Sequence, residues 1–178
     1  MRALRHFLPA LALLLATPFA PTGLLDAGSA WAEAKPFSHT GLAKDGERYE
    51  SYLKSHWKPG NQRAEQLIAA ANKAGKDARL AARNFAMAVV SEPGNVTAWV
   101  GLAEALLAIQ PDANKGSERF DLPVNASGAA YIAYERATSA KSTAAALAVL
   151  GEALKRRAFW RPAIEALKTS VTLVADAK

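Results

Sequence analysis

The residues whose chemistry could support catalysis or metal binding are few, and their spacing does not bring them together. The histidines are His6, His39 and His56, so no two of them stand three or four residues apart, the separation that places two imidazoles beside one metal ion on a helix. Glu47 and Glu50 form a carboxylate pair, but at helix-surface spacing they are expected to be solvated charges. Serine-nucleophile motifs and glycine-rich phosphate loops do not occur in the sequence. We therefore expect no enzymatic activity, no metal site and no cofactor, with a small enzyme of unrecognised site as the alternative.

One segment, "LKRRAFWR" at residues 154–161, concentrates positive charge beside aromatic rings. Its side chains could hold an anionic partner, with Trp160 stacking on that partner. The cations could instead lie at the C-terminus of a helix, where they oppose the helix dipole, with the aromatic residues in the following turn. The second interpretation is favoured. The cations of this basic cluster are Lys155, Arg156, Arg157 and Arg161.

Composition favours a single helical domain. The chain has 178 residues, of which 51% are hydrophobic and 21% charged, which supplies one core and carries too little charge for disorder. Alanine dominates the apolar share, and alanine favours closely packed helices. The net charge of +6 permits contact with acidic surfaces without establishing it.

The N-terminus has the pattern of a secretory signal peptide. Arg2 and Arg5 precede an apolar run over residues 7–20, and "AWA" supplies a cleavage pattern that ends at Ala32. We expect residues 1–32 to be removed and the mature protein to be periplasmic, with no stable membrane insertion after cleavage. An uncleaved anchor is the alternative, but the run is shorter than the ~20 apolar residues that a membrane span requires. We expect no nucleic-acid partner, because export separates the protein from most nucleic acid. We also expect no disulfide, because the chain has no cysteine.

The mature chain, residues 33–178, reads as a series of amphipathic helices. Tyr49, Leu53 and Trp57 lie at steps of four and predict a helix over residues 43–57, which the turn at 58–61 ends. Further helices are expected over residues 62–75 and 77–92, and another after "EPGN" at residues 92–95.

Two spacing patterns recur along these helices. A small–large–small triplet occurs at residues 81–88 and 130–137 and begins again at 163–167. A pattern of large residues with a small one among them occurs at residues 99–106 and 147–154. Their alternation predicts repeated helix pairs.

These patterns resemble the tetratricopeptide repeat, an antiparallel helix pair of about 34 residues. The resemblance implies an all-α, tetratricopeptide-like stack of helix pairs (an α-solenoid) with about six or seven helices. Pro93 would end one pair, and Trp99 would be the first large buried residue of the next. The excess length at residues 110–127 is expected to be a turn-rich insertion loop. The helix of Tyr49 is expected to cap the exposed end of the stack.

Three longer segments resemble the helical N-terminal region of bacterial alpha-2-macroglobulin family proteins. They are "ERYESYLKSHWKPG" at residues 47–60, "ERFDLPVNASGAAYIAYERA" at 118–137 and "EALKRRAFWRPAIEALKTSV" at 152–171. The family comprises large envelope proteins that trap proteases, many of them with a thioester formed in a Cys-x-Glu-Gln motif. This chain has no cysteine and no bait region, so no trapping residue is carried over. The resemblance implies a non-catalytic protein-interaction module of the periplasm.

A stack of this kind binds proteins along the concave face formed by the first helix of each pair. The partner would be a neighbouring domain of a larger envelope protein or a separate periplasmic protein. An independent adaptor that binds a peptide or protein in this groove is the alternative function. The predicted concave face is mixed in charge and partly apolar: Arg63, Gln66, Lys73, Val100, Glu104, Leu107, Ala148, Glu152 and Lys155.

Overall fold

The computed structural model describes residues 40–176, and within this range the protein is all-helical, with seven α-helices and no β-strand. The predicted signal peptide at residues 1–32 lies outside the described range. None of the described helices is long and apolar enough to cross a membrane. The helices are α1 (Thr40–His56), α2 (Ala64–Lys73), α3 (Ala78–Ser91), α4 (Val96–Ala108), α5 (Glu118–Arg136), α6 (Ala140–Arg156) and α7 (Trp160–Asp176). The prediction of an all-α fold is confirmed.

Polar residues and glycine set the helix boundaries where the sequence predicts them. The Asp77 side chain accepts a hydrogen bond from the Leu80 backbone N–H at 2.9 Å, and this bond caps the start of α3. The Asn95 side chain caps α4 in the same way, through the Ala98 N–H at 3.0 Å. Gly75 follows the end of α2 with φ 60°, a conformation that side chains with a Cβ rarely adopt.

From α2 to α7, each helix packs against the next one along the chain, and α4 also packs against α6. This order of contacts is compatible with a stack of helix pairs. The core is built largely from alanine and leucine, and Trp99 is the largest side chain that is completely buried.

Small residues permit the closest helix contacts. A Cβ atom at Gly101 of α4 would lie 2.4 Å from Cζ of Phe85 on α3. A Cβ atom at Gly151 of α6 would lie 2.5 Å from Cγ of Leu167 on α7. Both distances are far below van der Waals contact, so glycine is what lets these large side chains pack directly on the facing helix backbone.

The carbonyl oxygen of Pro93 joins the α3–α4 turn to two other helices. The Trp99 indole N–H donates to this oxygen at 2.7 Å, and the Arg136 guanidinium of α5 donates to the same atom. Arg136 also lies over the Trp99 ring, 5.4 Å from its centroid, and forms an ion pair with Glu50 of α1 at 2.8 Å. The prediction that Trp99 is buried is confirmed.

The position expected for the helix of Tyr49 is wrong. This helix, α1, does not cap the end of the stack beside α2 but packs mainly against α5, with a smaller contact to α3. The two helices approach so closely that a Cβ atom at Gly128 of α5 would lie 3.0 Å from the carbonyl oxygen of Asp45. A glycine in α1, Gly46, lies at the same contact, next to Ile132.

The loop expected over residues 110–127 is also wrong in its second half. Only residues 109–117 separate α4 from α5, because α5 begins at Glu118 and runs through Pro123 without ending. The proline cannot donate a backbone hydrogen bond, but the rest of the helix compensates because residues 126–134 are all buried.

Glu118 is held in place at the start of α5 by two donors. The Arg79 guanidinium of α3 donates to both carboxylate oxygens, at 3.1 and 2.7 Å, and the Asp112 backbone N–H donates to one of them at 3.0 Å. These hydrogen bonds lower the pKa of Glu118 to about 2. Local sequence does not indicate the Arg79 contact, since this arginine lies 39 residues before Glu118 along the chain.

Replacing Trp99 tests whether the buried indole supports the stack. We expect Trp99→Ala to reduce the free energy of unfolding by about 3–5 kcal/mol, because it removes a large side chain from a completely buried site. Trp160→Ala is the matched control, since that tryptophan is 60% exposed, and its effect should stay within about 0.5 kcal/mol. Urea unfolding followed by circular dichroism measures both. Equal stability of the two variants would contradict the assigned role of Trp99.

Candidate protein-interaction surfaces

Four of the predicted concave-face residues lie together in a groove between α4 and α6. Glu104 and Leu107 come from α4, and Ala148 and Glu152 come from α6. The groove has a volume of about 400 Å³. We call it the α4–α6 groove, and its remaining lining residues are Ala108, Val149 and Arg156.

The other predicted residues lie outside the lining of this groove. Val100 precedes Glu104 by one turn on α4 and is half-buried, whereas Lys155 is exposed near the end of α6. The remaining three are exposed at α2, which packs against α3: Arg63, Gln66 and Lys73. Gln66 is used locally, because its side-chain oxygen accepts the Arg63 backbone N–H at 3.2 Å at the start of α2.

Glu104 is the one carboxylate in the groove that pairs with no described side chain. Its apolar surroundings desolvate the carboxyl group and thereby raise its pKa above the ordinary value. Leu107 and Val149, both buried, form part of the groove wall. A partner that placed a cation at Glu104 would relieve the cost of that desolvation.

The opposite end of the groove is already neutralised. Glu152 forms ion pairs with Lys155 at 2.6 Å and with Arg156 at 3.7 Å. Arg156 also donates to the backbone carbonyl of Leu107 at 2.5 Å, which ties α6 to the end of α4. Arg156 was not among the predicted concave-face residues, although its position one turn after Glu152 placed it on the same helix face.

The basic cluster is mostly engaged within the protein. The Arg157 guanidinium donates to Asp45 of α1 at 2.8 Å and to the Ser127 hydroxyl of α5 at 2.6 Å. It also lies 4.7 Å from the centroid of the Phe159 ring. With Arg156 bound to α4, both arginines at the end of α6 serve internal contacts. This agrees with the interpretation of the cluster as helix-end cations.

The structure adds one surface that the spacing analysis did not identify, an exposed apolar stripe along α7. Its residues are between 36% and 69% exposed. On another face the same helix buries Ala163, Ala166, Ser170 and Leu173, and it packs against α6. The members of this α7 stripe follow one another at steps of four, three, four and three residues: Trp160, Ile164, Leu167, Val171 and Val174.

Heptad spacing was the signal that could have revealed the stripe from sequence. Apolar residues at alternating steps of three and four define a seam that packs against another helix. Tetratricopeptide spacing accounts only for Ala163 and Leu167 in this region. It does not indicate that α7 has two apolar faces.

The comparisons and the search for metal ligands provide no further assignment. No family model, no curated protein and no solved structure matches the chain. Across residues 40–176, no three histidine, cysteine, aspartate or glutamate side chains cluster in a way that could hold a metal ion.

The pH dependence of stability tests the environment of Glu104. Folding raises the pKa of this carboxyl group, so the folded state favours its protonated form. The protonated group therefore stabilises the folded protein at acidic pH, and this stabilisation is lost as the pH rises through the pKa of the folded state. Glu104→Gln should therefore stabilise the protein at neutral pH but not at pH values below the ordinary pKa of glutamate. The gain should be within about 0.5 kcal/mol, since water still reaches the group. Urea midpoints across the pH range measure it.

Glu165→Gln, which removes an exposed carboxylate of α7, is the matched control and should show no such pH-dependent gain. A gain of the same size for both variants would mean that the groove does not desolvate Glu104.

Proposed function

We propose that the protein is a non-catalytic interaction module of the periplasm that docks through the α7 stripe onto a helix of another domain or protein. The observation that carries this proposal is the row of exposed apolar side chains on a helix whose other apolar face is already buried against α6. Leu167 is the least exposed member of this row, since it also packs on α6 at Gly151. A helix that is apolar on two faces is typical of one with neighbours on both.

The extent of the stripe supports docking over incidental exposure. Isolated apolar residues are common on protein surfaces, but a contiguous patch of roughly 300–600 Å² or more on a soluble protein commonly marks a contact site. The stripe runs for about four turns, or roughly 21 Å at the rise of an α-helix. Trp160 begins it, and exposed tryptophans are frequent anchors of protein interfaces.

The shape and charge of the stripe indicate an amphipathic helix with an acidic edge as the occupant. The stripe carries β-branched side chains at Ile164, Val171 and Val174 and a leucine at Leu167. Such side chains at heptad spacing suit knobs-into-holes packing between two helices. This geometry favours a helix over an extended peptide.

The edge of the stripe supplies the charge argument. Arg161 and Lys168 directly follow stripe residues on α7, and neither forms an ion pair with another residue of the described range. Glu165 directly follows Ile164 and lies on the same edge, between these two cations, so the edge carries a net charge of +1. A second copy of this chain would bring the same cations, whereas an acidic-edged helix would neutralise them.

The resemblance to bacterial alpha-2-macroglobulin proteins suggests where such a helix would come from. Residues 152–171, one of the resembling segments, contain most of the stripe. We propose that the occupant belongs to a neighbouring domain of a large envelope protein, and that this module supports defence against proteases without performing the trapping itself.

The α4–α6 groove favours a second candidate, an independent periplasmic adaptor. This candidate is supported by Glu104, a desolvated carboxylate at the edge of the groove that pairs with no described side chain. Such a groove suits a segment with one basic residue beside apolar ones. Reversing the charge in Glu104→Lys should abolish capture of a periplasmic partner by the adaptor and leave docking through the α7 stripe unchanged.

Synthetic helical peptides test the proposed occupant. A peptide with apolar heptads and a glutamate-rich edge should bind the full chain, whereas the same peptide with a lysine-rich edge should bind at least about tenfold more weakly. Val171→Asp should abolish binding because it places a charge in the middle of the seam. Thr172→Asn is the matched control, since the exposed Thr172 lies beside the stripe on the same turn and asparagine adds no charge to its edge. Isothermal titration calorimetry measures the affinities.

Two outcomes would contradict the occupant. Equal binding of the two peptides would contradict the acidic edge proposed for the occupant. Self-association by analytical ultracentrifugation that Val171→Asp abolishes and Thr172→Asn preserves would assign the stripe to a second copy of the chain.

The size of the native polypeptide distinguishes the two functions. If the module belongs to an envelope protein of the alpha-2-macroglobulin kind, an immunoblot of the periplasm against residues 33–178 should detect a very large band. A domain-sized band would contradict that context and favour the independent adaptor.

A further inference from the structure

A cavity lined by residues of four helices has features of a small-ligand site. It lies among α1, α3, α4 and α5 and has a volume of about 380 Å³, within the range of small-molecule pockets. Apolar side chains of α4 and the residue after it line it, including Leu102, Leu106 and Ile109. Two tyrosines of α1, Tyr49 and Tyr52, also line it, as does Trp57, which directly follows α1, and we therefore call it the aromatic cavity.

Tyr49 brings a buried hydroxyl group to this cavity without a hydrogen-bond partner. Its side chain is only 6% exposed, and its hydroxyl forms no hydrogen bond with any residue of the described range. Buried tyrosine hydroxyls are usually paired, since an unpaired one loses its hydration without replacement. Burial, with a smaller contribution from Tyr52, raises the pKa of Tyr49, so the hydroxyl remains a neutral donor.

Arg83 brings an unpaired positive charge to the same cavity. Its guanidinium lies 5.7 Å from the centroid of the Trp57 ring, and no carboxylate of the described residues forms an ion pair with it. Arg79, which lines the cavity one turn earlier on α3, differs because Glu118 already binds it through both oxygens. Arg83 is therefore the cation available to a ligand.

Asn125 of α5 adds a polar amide to the lining, and its side chain forms no hydrogen bond within the part of the chain that the structure describes. A guanidinium, a phenol and an amide thus line one apolar cavity, each with hydrogen-bonding capacity to spare. Arginine and tyrosine donors suit a carboxylate, and the apolar floor suits a hydrocarbon body.

We infer that the aromatic cavity binds a small apolar carboxylate, whose carboxylate pairs with Arg83 and accepts from Tyr49, and whose hydrocarbon body packs against α4. The carboxylate could belong to a free aliphatic or aromatic acid or to the C-terminal residue of a peptide, which share this chemistry. The site is distinct from the α7 stripe and from the α4–α6 groove, and it does not depend on the proposed docking function.

The test uses the full chain and 3-phenylpropionate, with 3-phenylpropanamide as the neutral analogue of the same shape. We expect the acid to bind at least about tenfold more tightly than the amide, because only the acid pairs with Arg83. Isothermal titration calorimetry measures the affinities, and two-dimensional NMR should locate the shift changes at the Trp57 indole and the Asn125 side chain. A tripeptide ending in phenylalanine, with a free or amidated C-terminus, distinguishes a peptide source from a free acid.

Variants decide which side chains act. Arg83→Gln should weaken binding of the acid about tenfold and leave binding of the amide unchanged, and Tyr49→Phe should weaken it several-fold while keeping the ring packed. Arg48→Gln is the matched control, since it removes a mostly exposed arginine of α1 that does not line the cavity.

The inference would be overturned by equal binding of the acid and the amide, or by an unchanged affinity of Arg83→Gln for the acid. NMR shift changes away from the cavity, or no binding at millimolar acid, would overturn it as well. Val171→Asp should bind the acid normally, so failure of the docking proposal and failure of this inference remain distinguishable.

Discussion

The carbonyl oxygen of Pro93 is the atom on which the arrangement of the central helices depends. The proline ends α3, and its carbonyl accepts hydrogen bonds from Trp99 at the start of α4 and from Arg136 at the end of α5. Arg136 extends the connection to α1 through Glu50. This partly buried backbone group thus connects the α3–α4 turn to α4 and α5 directly and to α1 through Arg136.

Glycine contacts and a second polar connection complete this arrangement. Close approach at Gly128 brings α1 onto α5, and Arg157 then binds both Asp45 of α1 and Ser127 of α5. A charged group that is mostly buried is tolerated only when it is paired, so this arginine serves the fold. The same reasoning explains why a dense basic sequence leaves few cations free: Arg161 is the one arginine of that cluster that lacks an ion pair or hydrogen bond within the described range.

The groups that the fold leaves unsatisfied are separated by type. Exposed apolar side chains lie along α7, and a desolvated carboxylate borders the α4–α6 groove. A cation and a buried phenol line the aromatic cavity. Each favours a different chemistry of partner: an acidic-edged helix, a basic segment and an apolar acid. No matching family, curated protein or solved structure supplies a function, so this chemistry is the basis for every proposal made for the protein.

Local sequence determined the helical fold, the caps at Asp77 and Asn95 and the burial of Trp99, because capping and helical periodicity act within a few residues. It also placed Glu104 and Leu107 on one face of α4, and Ala148 and Glu152 on one face of α6, since residues one helical turn apart share a face. Only the packing of α4 against α6 brings the two faces into one groove. Tertiary structure alone decided where α1 packs, that residues 118–127 continue α5 and which arginines remain free. Those outcomes depend on contacts between distant parts of the chain, such as Arg79 with Glu118 and Asp45 with Arg157, which no local pattern encodes.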